Sequence, residues 1–168
     1  AGNIPWIENI AINKSLEFLS FANDDFFYVQ GNYTVTGATD RVVNIVSMRN
    51  TSGSIIFGSG GGVRATTVRI MDSYFVNGII DMEDNNVQAD IVGCTLINGS
   101  VSINYGNVVG CVIDASQTTD EGISITGTAS GFPLDTCAIV GNKVKGPLSY
   151  EGIFSSSESQ VLHIRNNF

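Results

Sequence analysis

Residues 91–113 read IVGCTLINGSVSINYGNVVGCVI and contain one short pattern twice. In each copy an apolar residue is followed three places on by a thiol, and two places further by a second apolar residue. With the copies elsewhere in the chain, the set is Ile70/Ser73/Phe75, Ile91/Cys94/Leu96, Val108/Cys111/Ile113, Ile139/Asn142/Val144 and Ile164/Asn167. The starts lie 21, 17, 31 and 25 residues apart. A pattern that recurs at this irregular interval predicts an all-β solenoid, a parallel β-helix in which each copy is one coil.

Composition narrows the classes of partner. The chain has 168 residues, which predicts one domain, and 19 glycines suit a fold rich in strand corners. Its 16 acidic and 8 basic residues give a net charge of −8, which disfavours nucleic acid and anionic lipid. We therefore predict no nucleic-acid partner, no membrane insertion and no cofactor. The three cysteines, Cys94, Cys111 and Cys137, are predicted to be free.

The N-terminal part differs from the rest. Residues 1–40 lack the coil pattern and carry Trp6 and a dense aromatic run, so they are expected to form an atypical cap or interface segment. A short helix is expected near Ser15–Ser20, and the coils are assigned to residues 41–168. The last coil ends at Phe168 without a polar cap. We expect a homotrimer, or adjacent domains of a longer chain, to cover the ends.

A second strand of each coil is predicted to carry a polar ladder. Its apolar members are Ile80/Met82, Val101/Ile103, Ile123/Ile125 and Leu148/Tyr150. Because side chains alternate along a strand, these residues face the core and the residues between them face outward. The outward columns would be Asp81–Ser102–Ser124–Ser149 and Glu83–Asn104–Thr126–Glu151, with Tyr105 at the rim for stacking on a sugar ring. Hydroxyl, amide and carboxylate groups in this order suit the hydroxyls of a glycan.

Candidate chemistry is limited to acidic side chains. Asp81 and Glu83, two residues apart on one strand face, would have the roughly 6.6–7 Å spacing that suits the acid and base of an inverting glycosidase. A solvated carboxylate pair is the simpler interpretation. Asp84, Asp120 and Glu121 lie in corners and are candidate ligands for a hard cation, although turn acids usually bind none. The single histidine, His163, has the parity of a surface residue, and no triad is supported.

The coils resemble one known superfamily. Their form, Ile-x-x-Asn/Ser/Cys-x-Phe/Leu/Val followed by a glycine and a short Ile-x-Ile strand, is similar to the right-handed parallel β-helices of the pectin-lyase-like superfamily, which includes bacteriophage tailspikes and receptor-binding appendages. The resemblance covers about residues 67–168. It implies a module that contacts a host cell-surface polysaccharide, on a virion surface or otherwise extracellular. A glycan-depolymerising hydrolase or lyase and a bacterial surface adhesin remain alternatives, because the catalytic pattern of those lyases does not match any positions here.

Overall fold

The computed structural model describes residues 6–13, 15–19, 27–36, 42–58, 66–83, 87–126, 136–147, 149–156 and 161–168. Every regular element in these ranges is a strand, and the strands form three parallel sheets of seven. Consecutive strands go to the three sheets in turn, so each coil contributes one strand to each sheet. The protein is a right-handed parallel β-helix, which confirms the fold class predicted from the repeated pattern.

The strands are numbered along the chain, and their sheets are given in spatial order. Sheet A contains β1 (Trp6–Ile7), β4 (Phe27–Gln30), β7 (Met48–Asn50), β10 (Tyr74–Val76), β13 (Thr95–Ile97), β16 (Val112–Asp114) and β19 (Lys143–Lys145). Sheet B contains β2 (Ile10–Ile12), β5 (Tyr33–Thr36), β8 (Ile55–Gly58), β11 (Ile80–Met82), β14 (Val101–Ile103), β17 (Ile123–Ile125) and β20 (Ile153–Ser155). Sheet C contains β3 (Leu16–Leu19), β6 (Val42–Val46), β9 (Thr66–Met71), β12 (Val87–Val92), β15 (Tyr105–Val109), β18 (Thr136–Val140) and β21 (Val161–Arg165).

The core is the space between the three sheets. Most of the apolar residues of the repeated pattern are fully buried in it, as predicted: Ile70, Phe75, Ile91, Leu96, Val108, Ile113 and Ile139. Val144 is only half-buried and packs against the edge of this cluster. In parallel register, equivalent residues of successive coils lie next to each other. Phe75, Leu96 and Ile113 are therefore neighbours on three successive coils.

The small polar position of the pattern lines one inner corner, between sheets C and A. Ser73, Cys94, Cys111 and Asn142 are all buried there. Their side chains bond to the backbone of adjacent coils: the Ser73 hydroxyl accepts from the N–H of Met48 at 3.1 Å, and the Cys94 thiol donates to the carbonyl of Ile70 at 3.4 Å. The corner therefore needs side chains that are short and can form hydrogen bonds. All three cysteines are free and buried, which confirms that prediction.

A second corner, between sheets A and B, depends on glycine. Gly78 and Gly53 are stacked so closely that a Cβ on Gly78 would lie 1.9 Å from the Gly53 carbonyl oxygen. Asn77, which precedes Gly78, takes a positive φ of 52°, a conformation that asparagine tolerates better than most residues. Asn77 and Gly78 therefore form the corner that joins β10 to β11.

Two expectations about the N-terminal part are wrong. Coils do not begin at residue 41, because β1 to β5 already belong to the three sheets. The segment expected to contain a short helix is instead strand β3, which pairs with β6, and Ser20 lies outside the described residues. Whether this part also serves as a cap or interface stays a prediction.

The sequence pattern also misplaces the sheet B strand of the seventh coil. The sheet B strand there is Ile153–Ser155, not the pair Leu148/Tyr150. Tyr150 is exposed, and Leu148 lies outside the described residues. Consequently Ser124 pairs with Phe154, so that neither Ser149 nor Glu151 continues the predicted ladder.

Large exposed apolar side chains occur at both ends of the stack. Trp6 and Ile7 lie in the first strand of sheet A, and Ile164 and Phe168 lie in the last coil. The repeated pattern placed Ile164 inward, yet it is 47% exposed, since among the described strands β21 pairs only with β18. His163 is exposed, as predicted. Among the described residues there is no apolar helix of membrane-spanning length.

Candidate functional site

The polar ladder lies on the outer face of sheet B. We use this name for Asp81, Glu83, Ser102, Asn104, Ser124 and Thr126. Asp81 of β11 is paired with Ser102 of β14, which is paired in turn with Ser124 of β17. Between them the strands bury the apolar residues expected: Ile80, Met82, Val101, Ile103, Ile123 and Ile125. The structure thus brings together three successive rungs of the ladder in the predicted register.

The polar ladder is less exposed than the alternation of side chains along each strand suggested. Asn104 and Ser124 are only 6% exposed, whereas Asp81, Ser102 and Thr126 are half-buried. Tyr105 does not lie at a rim for stacking on a sugar, because it begins β15 and is itself 6% exposed. The expectation that Tyr105 lies at an exposed rim is therefore wrong, and two of the six ladder residues are nearly buried. The accessible part is narrower and centres on Glu83, the one exposed member.

Glu83 occupies an acidic and partly desolvated position. Its carboxyl pKa is raised above the ordinary value, first because burial removes solvent and then because Asp81 and Glu121 are like charges nearby. Hydrogen bonds from the hydroxyls of Thr126 and Ser102 act in the opposite direction. The carboxyl of Glu83 therefore has hydroxyl donors on the next two coils and two carboxylates around it.

Two further hydrogen bonds fix the geometry around Glu83. The Asp81 Oδ1 accepts from the backbone N–H of Glu83 at 3.2 Å, which folds the Asp81 carboxylate towards its neighbour. The Thr126 hydroxyl donates to the Asn104 Oδ1 at 2.8 Å. Because a hydroxyl has a single proton, Thr126 donates to Asn104 or to Glu83 at any moment, not to both. Protonation of Glu83 would let its carboxyl donate instead.

Glu121 was missed as a neighbour of Glu83. It lies in the corner between β16 and β17, where the sequence indicated only a candidate cation ligand. No cluster of three or more acidic, cysteine or histidine side chains suited to a metal occurs among the described residues. Asp84 lies outside the described residues, and Asp120 is exposed in the same corner as Glu121. Glu121 approaches Glu83 because a long corner folds towards a neighbouring strand. The local sequence does not indicate such a contact.

The arrangement offers two kinds of chemistry. Hydroxyl, amide and carboxylate groups at about 4.8 Å intervals can form hydrogen bonds with successive groups of an extended ligand. A carboxyl group with a raised pKa beside a second carboxylate also has the features of a general acid and its partner. Glu83 and Asp81 can contribute to both.

The raised pKa of Glu83 predicts a pH-dependent effect of Glu83→Gln. The folded protein holds the Glu83 proton more tightly than the unfolded chain, so the resulting stabilisation is full below the unfolded value of 4.5 and is lost as pH rises through the folded-state pKa. At pH 7 the ionised carboxyl therefore destabilises the fold. We expect the thermal midpoint of Glu83→Gln to exceed that of the wild type at pH 7, and the difference to shrink at pH 4.

A matched control is Glu17→Gln, which removes an exposed carboxyl from the outer face of sheet C. Its midpoint relative to the wild type should change little between the two pH values. An equal gain for both variants, or no gain for Glu83→Gln at pH 7, would contradict the environment described for Glu83.

No family model, curated protein or solved structure matches the chain.

Proposed function

We propose that the chain is a β-helical module of a phage tailspike or similar appendage, which contacts a host cell-surface polysaccharide along the polar ladder. The observation that carries the proposal is the register of Asp81, Ser102 and Ser124 on three successive coils. A polysaccharide is itself a linear repeat, so a ladder of donors and acceptors at constant spacing can bind successive sugar hydroxyls. The net charge of −8 favours a neutral or cationic glycan over an anionic one.

The setting of the ladder also supports binding. Half-buried polar groups are partly desolvated already, so their hydrogen bonds to a ligand compete less with water than those of a fully exposed row. Serine and threonine hydroxyls are short and lose little side-chain entropy when a ligand orders them. These features favour a preorganised contact surface.

The first experiment is binding of the wild type to an array of bacterial surface polysaccharides, followed by titration of the best ligand with variants. Asp81→Asn combined with Glu83→Gln keeps the shapes of both side chains and removes both charges. We expect this double variant to bind at least about tenfold more weakly, since hydrogen bonds to charged groups contribute roughly 1.5–3 kcal/mol.

The control is Glu17→Gln combined with Asp90→Asn, which makes the same change of charge on the outer face of sheet C. It should bind like the wild type. Equal affinities for the ladder variant and the wild type would exclude the ladder as the contact surface, and the absence of any ligand on the array would count against glycan binding itself.

Cleavage of the glycan is the second candidate function. It is favoured by one observation, the raised pKa of Glu83 beside the carboxylate of Asp81. An inverting hydrolase protonates the leaving group with one carboxyl and activates water with the other. Release of new reducing ends from the bound polysaccharide, lost in Glu83→Gln, is the expected result. Unchanged chain length of the polysaccharide after long incubation would leave binding as the only function.

A further inference from the structure

An apolar strip follows the outer edge where sheet C meets sheet A. Its sheet C side is a column of five stacked residues, one per coil, and its sheet A side continues the same surface across the corner. The residues of this edge strip are Val46, Met71, Val92, Val109 and Val140 on sheet C, and Arg49, Tyr74, Thr95 and Val112 on sheet A. The strip therefore extends over five coils.

The edge strip is accessible along its length. Val92 is 37% exposed in the fourth strand of sheet C, and Val112 is 42% exposed in the sixth strand of sheet A, so neither lies in a terminal strand. Val46, Met71, Val109 and Val140 are half-buried. A column of stacked apolar residues that are exposed or half-exposed typically marks an interaction site.

Glycines leave the backbone at this edge without side chains to cover it. Gly93, Gly110 and Gly141 form the corner between the two columns, each with a positive φ of 64° to 67°. A Cβ on Gly110 or Gly141 would meet nothing within 4 Å. Asp72, which occupies the same corner one coil earlier, is exposed and takes a φ of 48°. The corner thus allows another chain to approach closely.

Arg49 is the unusual residue of the strip. Its guanidinium carbon lies 5.5 Å from the ring centroid of Tyr28 and 4.8 Å from that of Tyr74, so the two tyrosines on neighbouring coils hold it between them. The ion pairs among the described residues are Arg69 with Asp90 and Lys145 with Asp114, and Arg49 is in neither. Its Nε is buried without a hydrogen-bond partner.

An arginine held in this way is ready to bind a carboxylate. The two tyrosine rings restrain the guanidinium of Arg49 between them, and a guanidinium carries several N–H donors that suit a carboxylate. Within the described part of the chain, Asp72 is an exposed carboxylate of the same edge that forms no ion pair. It lies one coil from Arg49, which is about 4.8 Å along the axis.

We propose that the edge strip binds a second copy of this chain, with Arg49 of one copy paired to Asp72 of the next. Copies with parallel axes have the same coil spacing, so their apolar columns pack in register over the whole strip. The strip supplies both the cation and the anion, which makes it complementary to itself when neighbours are related by rotation. This contact is on a different face from the polar ladder and does not rest on the proposed function.

The test is the solution mass of the chain by sedimentation velocity, with charge reversals at the two proposed partners. The wild type should sediment as a multiple of the 17.8 kDa chain. Arg49→Asp and Asp72→Arg should each weaken association by about tenfold or more, because each places like charges in contact. The combined Arg49→Asp and Asp72→Arg variant restores opposite charges and should return most of the lost affinity.

The second part of the sedimentation test changes an apolar position of the edge strip. Val92→Asp places a charge in the centre of the edge strip and should give the mass of a single chain. Val42→Asp is its matched control, since Val42 is 41% exposed at the opposite end of a sheet C strand. Thermal unfolding of each variant shows that it is folded. A wild type of single-chain mass, failure of the combined reversal to restore association, or equal dissociation by Val42→Asp and Val92→Asp would each overturn the proposal.

Discussion

Leu96→Ala is expected to lower the free energy of unfolding by about 2–5 kcal/mol, the range typical of a buried leucine that leaves a cavity. Leu96 has no exposed surface and lies in β13, between Phe75 of the preceding coil and Ile113 of the next. Both neighbours are held by the parallel register of sheet A. They cannot move into the space without breaking backbone hydrogen bonds, so the cavity should remain largely unfilled.

Urea denaturation of the wild type and Leu96→Ala measures this loss directly. Val42→Ala is the control, because it also shortens an aliphatic side chain but at a position that is 41% exposed. Its free energy of unfolding should stay within about 0.5 kcal/mol of the wild type. Coincident midpoints for Leu96→Ala and the wild type would contradict the stacking register of sheet A.

The regular part of the fold was predictable because two features recur in each coil from Ser73 onward. Inward residues are apolar, and the inner corner holds a short side chain that can bond to the backbone, as Ser73 and Cys94 do. The repeated pattern is absent from the first coils for a physical reason. The position equivalent to Ser73 is occupied by Met48, a buried apolar residue that has no polar group to reveal the corner.

The site was predictable only in part. Alternation along a strand fixes which side a residue faces, and it correctly placed Asp81 and Ser102 outward on adjacent coils. It does not determine how much of the remaining chain covers that side. Asn104 and Ser124 are therefore outward yet nearly buried, and the approach of Glu121 to Glu83 depends on the path of a long corner. Such contacts join residues far apart in sequence.

The edge strip was not apparent either, although its residues are regular. Val92 and Val109 directly follow Ile91 and Val108 of the repeated pattern. The sequence does not show that they share an outward apolar column until the register of the strands is known. The stacked column becomes evident only when five coils are aligned. That Arg49 belongs to neither ion pair of the described residues becomes evident only in the structure.

Asn142→Ala is expected to lower the free energy of unfolding by roughly 2–6 kcal/mol, since it leaves two buried backbone groups unpaired at about 1–3 kcal/mol each. Asn142 has no exposed surface. Its Oδ1 accepts from the N–H of Cys111 at 2.9 Å, and its Nδ2 donates to the carbonyl of Val108 at 2.9 Å. Alanine can provide neither group, and the corner is closed to water.

Two further variants separate the hydrogen bonds from the mere loss of a side chain. Asn142→Ser should be less destabilised than Asn142→Ala, because Ser73 shows that a hydroxyl at the equivalent position can accept an N–H from the preceding coil. Gln88→Ala removes an exposed amide from the outer face of sheet C, so it should change stability by no more than about 0.5 kcal/mol. Chemical denaturation of the three variants ranks them. Equal losses for the alanine and serine variants at position 142 would mean that packing, not backbone hydrogen bonding, is what this corner requires of its side chain.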